Sequence, residues 1–264
     1  MRRQIYQSVI RLMNGRFLSS GLKRFTESKA SRHLIPLYKK VLRVDMDESV
    51  QSLHEFQTLQ QFFVRKLYDD ARPIHNEVDV LVSPVDGVVE QFGVIKETAI
   101  EVKGQTYSVE ELLDDEELAQ RYKNGRFMVL YLSPSDYHRI HAPTTGTIVT
   151  QYERGATSYP VNKWGLRFGK SPISRNYRVI TELAEHDGSR LAFVKVGAMW
   201  INSIELTHKG DTLNKGEEVG YFSFGSTVVL LVEKGTVQFL DEIRLQKSVR
   251  VGEAIARKES SETS

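Results

Sequence analysis

The stretch Gly220-Tyr221-Phe222-Ser223-Phe224-Gly225-Ser226-Thr227-Val228-Val229-Leu230-Leu231-Val232 decides how this chain is read. Its first four residues have the character of a strand. Its last five form an unbroken apolar run, the mark of a strand covered on both faces. Between them Phe224-Gly225-Ser226-Thr227 makes a sharp corner, where Gly225 tolerates backbone angles that other residues resist. Ser226 then carries its hydroxyl beside a peptide bond open to strain, and strain of that kind gathers at functional sites. Such a hydroxyl can attack the neighbouring carbonyl once a base removes its proton.

Two other segments supply the base and a group to orient it. Of the seven histidines, only His138 and His141 stand close together, in Tyr131-Leu132-Ser133-Pro134-Ser135-Asp136-Tyr137-His138-Arg139-Ile140-His141-Ala142-Pro143. The flanking prolines mark a loop or short turn. Ser83-Pro84-Val85-Asp86-Gly87-Val88-Val89 places an acid at a turn that leads into a strand. Ser226, a histidine and Asp86 on three turns follow the nucleophile, base and orienter logic that recurs on unrelated folds.

The remaining sequence bounds the architecture. At 264 residues the chain suits one large domain or a domain with an appendage. It has no cysteine, so neither disulfides nor a thiolate metal site are available, which fits a reducing compartment. The net charge of +2 points to no partner and gives no sign of nucleic acid, but the charge is unevenly spread. Before Asp45 stand Arg2, Arg3, Arg11, Arg16, Lys23, Arg24, Lys29, Arg32, Lys39, Lys40 and Arg43 against Glu27 alone. Ile5, Val9 and Leu12, then Leu22 and Phe25, then Leu34, Leu37, Tyr38 and Val41 recur at helical spacing, with Pro36 inside the third run. This predicts two or three short amphipathic helices with basic faces. None reaches the roughly 18 apolar residues of a spanning helix. Charged residues also interrupt any secretory h-region.

From about Val78 the pattern changes to short β-rich runs between Gly, Pro, Asn and Asp turns: Val78–Val82, Phe127–Tyr131, Leu191–Val196 and Ser226–Val232. One helix is expected over Ser108–Gln120, opened by a Ser108/Glu111 capping box. Pro84–Val89 and Pro143–Ile148 echo one another, and Lys215–Phe222 adds a third turn-then-strand that resembles the hammerhead of biotinyl and lipoyl carrier domains. The expected fold is α+β: N-terminal amphipathic helices followed by a mainly antiparallel β-sandwich or hybrid barrel. The expected divisions are a helical membrane-associating segment over 1–76, a catalytic β domain over 77–256 and a disordered polar tail over 257–264.

Taken in order, several motifs resemble the pyruvoyl-dependent phosphatidylserine decarboxylases. They are Phe62-Phe63-Val64-Arg65-Lys66-Leu67 with Ala71-Arg72-Pro73-Ile74, the Asp86 turn, Val102-Lys103-Gly104-Gln105, Leu130–Pro143, Tyr159-Pro160-Val161-Asn162, Val196-Gly197-Ala198 and Phe224–Thr227. Two positions depart from the family pattern: Phe224, where Leu is common, and Tyr177, where an acid is common. The resemblance implies a proenzyme that cuts itself between Gly225 and Ser226 into chains 1–225 and 226–264, with Ser226 becoming the pyruvoyl cofactor. It implies that His141 and Asp86 assist the cut and that His138 serves decarboxylation. The pyruvoyl carbonyl would form a Schiff base with phosphatidylserine and release CO2, leaving phosphatidylethanolamine. Phe222 and Phe224 would line the pocket. The implied partners are phosphatidylserine, an anionic membrane surface and the two chains of one precursor, with room for a homodimer. The implied place is the cytoplasmic face of the cell membrane, held peripherally.

Each motif has a plainer reading. Gly225-Ser226 and Asp86-Gly87 are common turn dipeptides. His138 and His141 could hold a metal, but no acid at matching spacing completes a site, so none is expected. The other five histidines lie among polar neighbours and read as solvated. A non-enzymatic membrane-binding module related to carrier domains would leave Gly225-Ser226 inert. A serine hydrolase would use the same three residues in an uncut chain, but no Gly-x-Ser-x-Gly elbow surrounds Ser226.

Overall fold

A computed structural model describes residues 16–156, 159, 171–197, 204–223 and 226–259. Ile5, Val9, Leu12, Pro160–Asn162, Ala198, Phe224 and Gly225 lie outside these residues. The described chain opens with α1 (Arg16–Thr26), a 3₁₀ turn (Lys29–Leu34), α2 (Ile35–Leu42) and α3 (Leu59–Phe63). Pro36 sits in the first turn of α2, where its missing N–H leaves no gap in the helix. Strands β1 (Val80–Val82), β2 (Gly87–Val94), β3 (Ala99–Val102) and β4 (Gln105–Ser108) lead to α4 (Val109–Leu113) and α5 (Glu116–Arg121). Next come β5 (Arg126–Leu132), β6 (Arg139–His141), β7 (Gly146–Arg154), α6 (Pro172–Arg175), β8 (Arg178–Ala184), β9 (Arg190–Gly197), β10 (Ile204–Leu206) and β11 (Thr212–Leu213). The chain closes with β12 (Glu218–Phe222), β13 (Ser226–Val232), β14 (Val237–Phe239), β15 (Ser248–Val249) and β16 (Ala254–Lys258).

An eight-stranded sheet in the order β11-β7-β8-β9-β13-β5-β2-β15 forms the frame, and it ends at β11 and β15 without closing into a barrel. Two three-stranded sheets, β10-β12-β6 and β1-β16-β14, and the hairpin β3-β4 complete the strands. The named pairs are antiparallel. The expected α+β, mainly antiparallel architecture is therefore present.

Strand β13 explains its own apolar sequence. Side chains alternate along a strand, so Val228, Leu230 and Val232 enter one core with Val85, Ile140, Phe222 and Ile255. Val229 and Leu231 enter a second core with Val109 and Leu112 of α4 and Tyr122 beyond α5. With both faces covered, every position of β13 is buried. The two echoing turns share a steric cause. A Cβ on Gly87 would stand 2.6 Å from the Tyr131 carbonyl oxygen, and one on Gly146 2.7 Å from that of Ala184. Each glycine lets a new strand start hard against its neighbour.

Two expectations change. The single helix over 108–120 is two short helices: Ser108 caps α4 through Glu111 N–H, but Asp114 turns left-handed at φ 54° and Asp115 starts α5 as a new cap. The tail begins later than residue 257, because Arg257 and Lys258 continue β16 and pair with Glu77, Asp79, Glu185 and Asp187. Among the described residues no helix is long and apolar enough to cross a membrane.

Candidate active site

The site forms where the small sheet hands the chain to the large one. Only three residues separate β12 from β13. Ser226, first in β13, stands opposite Leu132 of β5 and Gly197 of β9. Alternation puts its side chain on the Val228 face, toward the core that holds Ile140 and Phe222. Ser226 is fully buried, and its Oγ has no hydrogen-bond partner among the described residues. Ser223 Oγ, Thr227 Oγ1 and His138 Nε2 are likewise buried and unpartnered. Buried polar atoms are nearly always paired, so an unpaired hydroxyl beside the corner marks a candidate functional place.

The histidine loop joins the end of β5 to β6, beside the start of β13. The Phe222 N–H donates to the His138 carbonyl (2.9 Å), which ties the loop to the strand before the corner. His138 is fully buried, packed against the Phe63 ring at 3.9 Å between centroids. Its Nδ1 donates to the Asp136 carbonyl (2.9 Å), so Nε2 carries a lone pair with no donor to meet it. Burial pushes its pKa down to about 3, so the ring is neutral at physiological pH. His141 is also a neutral base, lowered chiefly by burial. Its Nδ1 donates to the Gly216 carbonyl (2.8 Å), and its Nε2 accepts from the Tyr137 hydroxyl (3.3 Å). In β6 Ile140 faces the core while Arg139 and His141 point the other way.

Asp86 does not hydrogen-bond to His141 in this arrangement. Its carboxylate accepts from Arg72 Nε (2.9 and 3.1 Å), Arg72 Nη2 (2.5 Å) and the Val251 N–H (2.9 Å). The guanidinium fork saturates the carboxylate, and the Gly216 carbonyl takes the orienting place at His141. Asp86 still acts on His141 through its charge, favouring the imidazolium. Arg72 reaches on to Glu48 (2.8 Å), which also pairs with Arg250 (3.0 Å). On the other flank Asn176 Nδ2 donates to the Tyr159 and Gly197 carbonyls (2.7 and 2.9 Å), and the Gly197 N–H donates to Tyr177 O (2.9 Å). The Asn176-Tyr177 loop therefore fixes the residue that faces Ser226.

This geometry has counterparts in known proteins. Residues 59–257 match the family model described as phosphatidylserine decarboxylase. Phosphatidylserine decarboxylase proenzymes of Bacillus cereus, Bacillus anthracis and Bacillus thuringiensis are each 48% identical over 257 residues, covering 97% of this chain and 98% of theirs. The chain belongs to the phosphatidylserine decarboxylase family.

Family membership gives the orphaned hydroxyl and histidine a common context, and the residues around them were less visible. Arg65, Arg72 and Tyr137 lie within the family motifs quoted above, yet no pattern in the sequence assigned them contacts. Sequence spacing does not report that Arg72 clamps Asp86, because the two meet only when the turn before β1 folds back onto β2. The remaining histidines differ from His138 and His141: His33, His54 and His186 are exposed, and His75 and His208 half-exposed.

Proposed function

We propose that this chain is a self-processing phosphatidylserine decarboxylase proenzyme, a carboxy-lyase that converts phosphatidylserine to phosphatidylethanolamine. Near-full-length identity to named proenzymes carries this reading, and the buried, unpartnered Ser226 hydroxyl supports it. In maturation Ser226 Oγ attacks the Gly225 carbonyl carbon, the Gly225–Ser226 C–N bond breaks, and an ester replaces the amide. Loss of the Ser226 α-proton and cleavage of its Cβ–Oγ bond free chain 1–225 as a carboxylate. Tautomerisation and hydrolysis then release ammonia and leave a pyruvoyl cap on chain 226–264. In this reading His141 takes the Oγ proton, which requires its ring to turn from the side of β6 opposite Ile140 toward the corner, and Asp86 stabilises the imidazolium electrostatically. Because the attack is intramolecular, its high effective concentration singles out one peptide bond.

The chain's own residues suit the pyruvoyl group. The first position of β13 is buried among apolar side chains, and His138 offers a free, neutral Nε2 in the same loop. When bound, such a group supplies an electron-accepting carbonyl that condenses with a substrate amine. His138 then returns a proton to carbon after CO2 leaves, and the apolar wall including Phe222 disfavours the substrate's charged carboxylate. Residues 1–44 hold the enzyme peripherally on anionic membrane at the cytoplasmic face, as part of a membrane-associating segment spanning 1–76. Lys23, Arg24 and Arg32 fall in the same stretch of sequence as the exposed Phe25, Leu34, Leu37 and Val41. A second copy of the chain is a further partner in this reading.

Intact mass of the purified protein tests the scheme. A small chain 226–264, blocked at its N-terminus and lighter by one ammonia than a serine-started peptide, is expected. A single full-length chain in active enzyme would exclude self-processing.

A further inference from the structure

Arg65 is a buried cation without a counter-ion among the described residues. It is 5% exposed and follows α3, beneath the histidine loop. Among the described residues its guanidinium makes one hydrogen bond, from Nη2 to the Ser135 carbonyl (3.0 Å), while Nε has no partner. Among the described residues no carboxylate lies within ion-pair distance of it, whereas the nearby Arg72 and Arg250 are both paired. Charges this deep are normally paired, because leaving water unpaired is costly.

In front of Arg65 lies a cavity of about 200 Å³ walled by Arg72, Asp86, Ser135, Asp136 and Tyr137. Its carboxylates are largely committed. Asp86 and Glu48 belong to Arg72 and Arg250, and Asp45 is exposed. Asp136 accepts the Ser133 N–H (2.6 Å), and burial raises its pKa toward the neutral form. Arg65 is the cation left over. The cavity adjoins the reacting centre: Ser135, Asp136 and Tyr137 run directly into His138, on which the Arg65 charge acts.

We propose that Arg65 and this cavity form the binding site for the phosphodiester of the lipid head group, a proposal that rests on the phosphatidylserine reading above. The substrate offers two anions, and the chemistry separates them. A guanidinium on the carboxylate would stabilise the charge that must be expelled as CO2 and so slow the reaction. The phosphodiester survives the reaction unchanged, so holding it positions the substrate without opposing the step. The planar fork of arginine also matches phosphate oxygens. Free serine lacks this group, so the site would favour the lipid head group over the amino acid.

The test uses the mature two-chain protein and glycerophosphoethanolamine, which keeps the phosphodiester and lacks the carboxylate. Calorimetry should show binding to wild type and about 10- to 100-fold weaker binding to Arg65→Gln. Arg65→Lys, which keeps the charge and loses the fork, should fall between them and serves if the Gln variant fails to fold. Inorganic phosphate should bind less tightly than the diester; the reverse order would make this a free-phosphate site and overturn the proposal. Gln and Lys variants that bind the probe as wild type does would leave Arg65 as a prop for the Ser135 carbonyl and overturn it. So would lost phosphatidylserine turnover with unchanged probe affinity, since the guanidinium would then hold the carboxylate. Wild type that fails to bind the probe at millimolar concentration overturns it as well. Wild type that binds the probe yet releases no CO2 from phosphatidylserine would sink the decarboxylase reading and leave the anion site standing.

Discussion

Ser226→Ala separates what the hydroxyl costs the fold from what it does. Ser226 Oγ is buried and unpartnered, on a strand whose seven positions are all buried. A buried hydroxyl without a partner carries a desolvation cost of about 1–3 kcal/mol. Alanine keeps the Cβ and removes the polar atom, so little cavity is created beside Val228 and Leu132. In a chain of this size about 1 kcal/mol moves the unfolding midpoint by roughly 2–4 °C. The alanine chain should therefore unfold about 2–12 °C higher than an uncut serine chain, while never maturing. The reference must be uncut, so the comparison is made in a His141→Ala or Asp86→Ala background, whichever intact mass shows to be a single chain. Scanning calorimetry of the two proteins gives the difference. An alanine chain equal to or less stable than its serine counterpart would refute the argument, because it would mean that the hydroxyl has a partner that stabilises the fold.

Four further outcomes follow from the same geometry. His141→Ala and Asp86→Ala should leave the proenzyme uncut, whereas His138→Ala should be cut at least in part and release CO2 slowly; the opposite pattern by intact mass would exchange the two histidines' roles. Burial lowers His138 from 6.5 to about 3, so the unfolded chain takes up a proton in that window that the folded chain refuses. The His138 contribution to stability is then complete above pH 6.5 and is lost as pH falls toward 3. His138→Gln should lose about 2 kcal/mol less than wild type between pH 7 and 5, and equal losses in denaturant titrations would sink this account. The cut chains should co-elute without denaturant, because residues 226–259 supply β13 in the middle of the large sheet, β15 at its edge, and β14 and β16 of another sheet; separation by simple gel filtration would contradict that threading. Binding to phosphatidylserine vesicles should weaken in high salt without vanishing and should drop when residues 1–26 are removed, and undiminished co-sedimentation of that truncation would make the segment a structural cover instead.

The truncation stops at residue 26 because the structure divides the basic segment in two. The sequence placed Tyr38 among the apolar residues of a membrane-facing helix. Tyr38 instead donates its hydroxyl to the Pro134 carbonyl (3.0 Å) and packs with Ile35 against Phe56 and Phe62. Leu37 and Val41 of the same helix remain exposed. Helical periodicity identifies which residues share a face but not what that face meets, so one amphipathic pattern served both a membrane-facing reading and an inward anchor on the histidine loop. Removing 1–44 would take away Ile35 and Tyr38 and confuse lost docking with a disturbed site.

The same distinction explains what else was legible. Strand β13 could be read to the residue because five consecutive apolar side chains fit only an environment buried on both sides. Ser226, Asp86 and His138 were readable because turn chemistry exposed them as polar groups at the ends of strands. Lys195 was not. It sits inside an expected strand, and nothing in Phe193-Val194-Lys195-Val196 says that the amine is buried, held by Thr181 Oγ1 (2.7 Å) and the Phe193 ring (4.1 Å) with no acid among the described residues. The Asp86–Arg72 clamp was hidden for the same reason. Charge partners are chosen by whichever segments fold together, and the stretch between these two, 14 positions apart, carries no period that records the choice. Asp86 was singled out as an acid at a turn, while its burial and its first partner came from tertiary approach. The consequence is a chemical one: if Asp86 orients His141 directly during maturation, the carboxylate must first leave a guanidinium that contacts both of its oxygens.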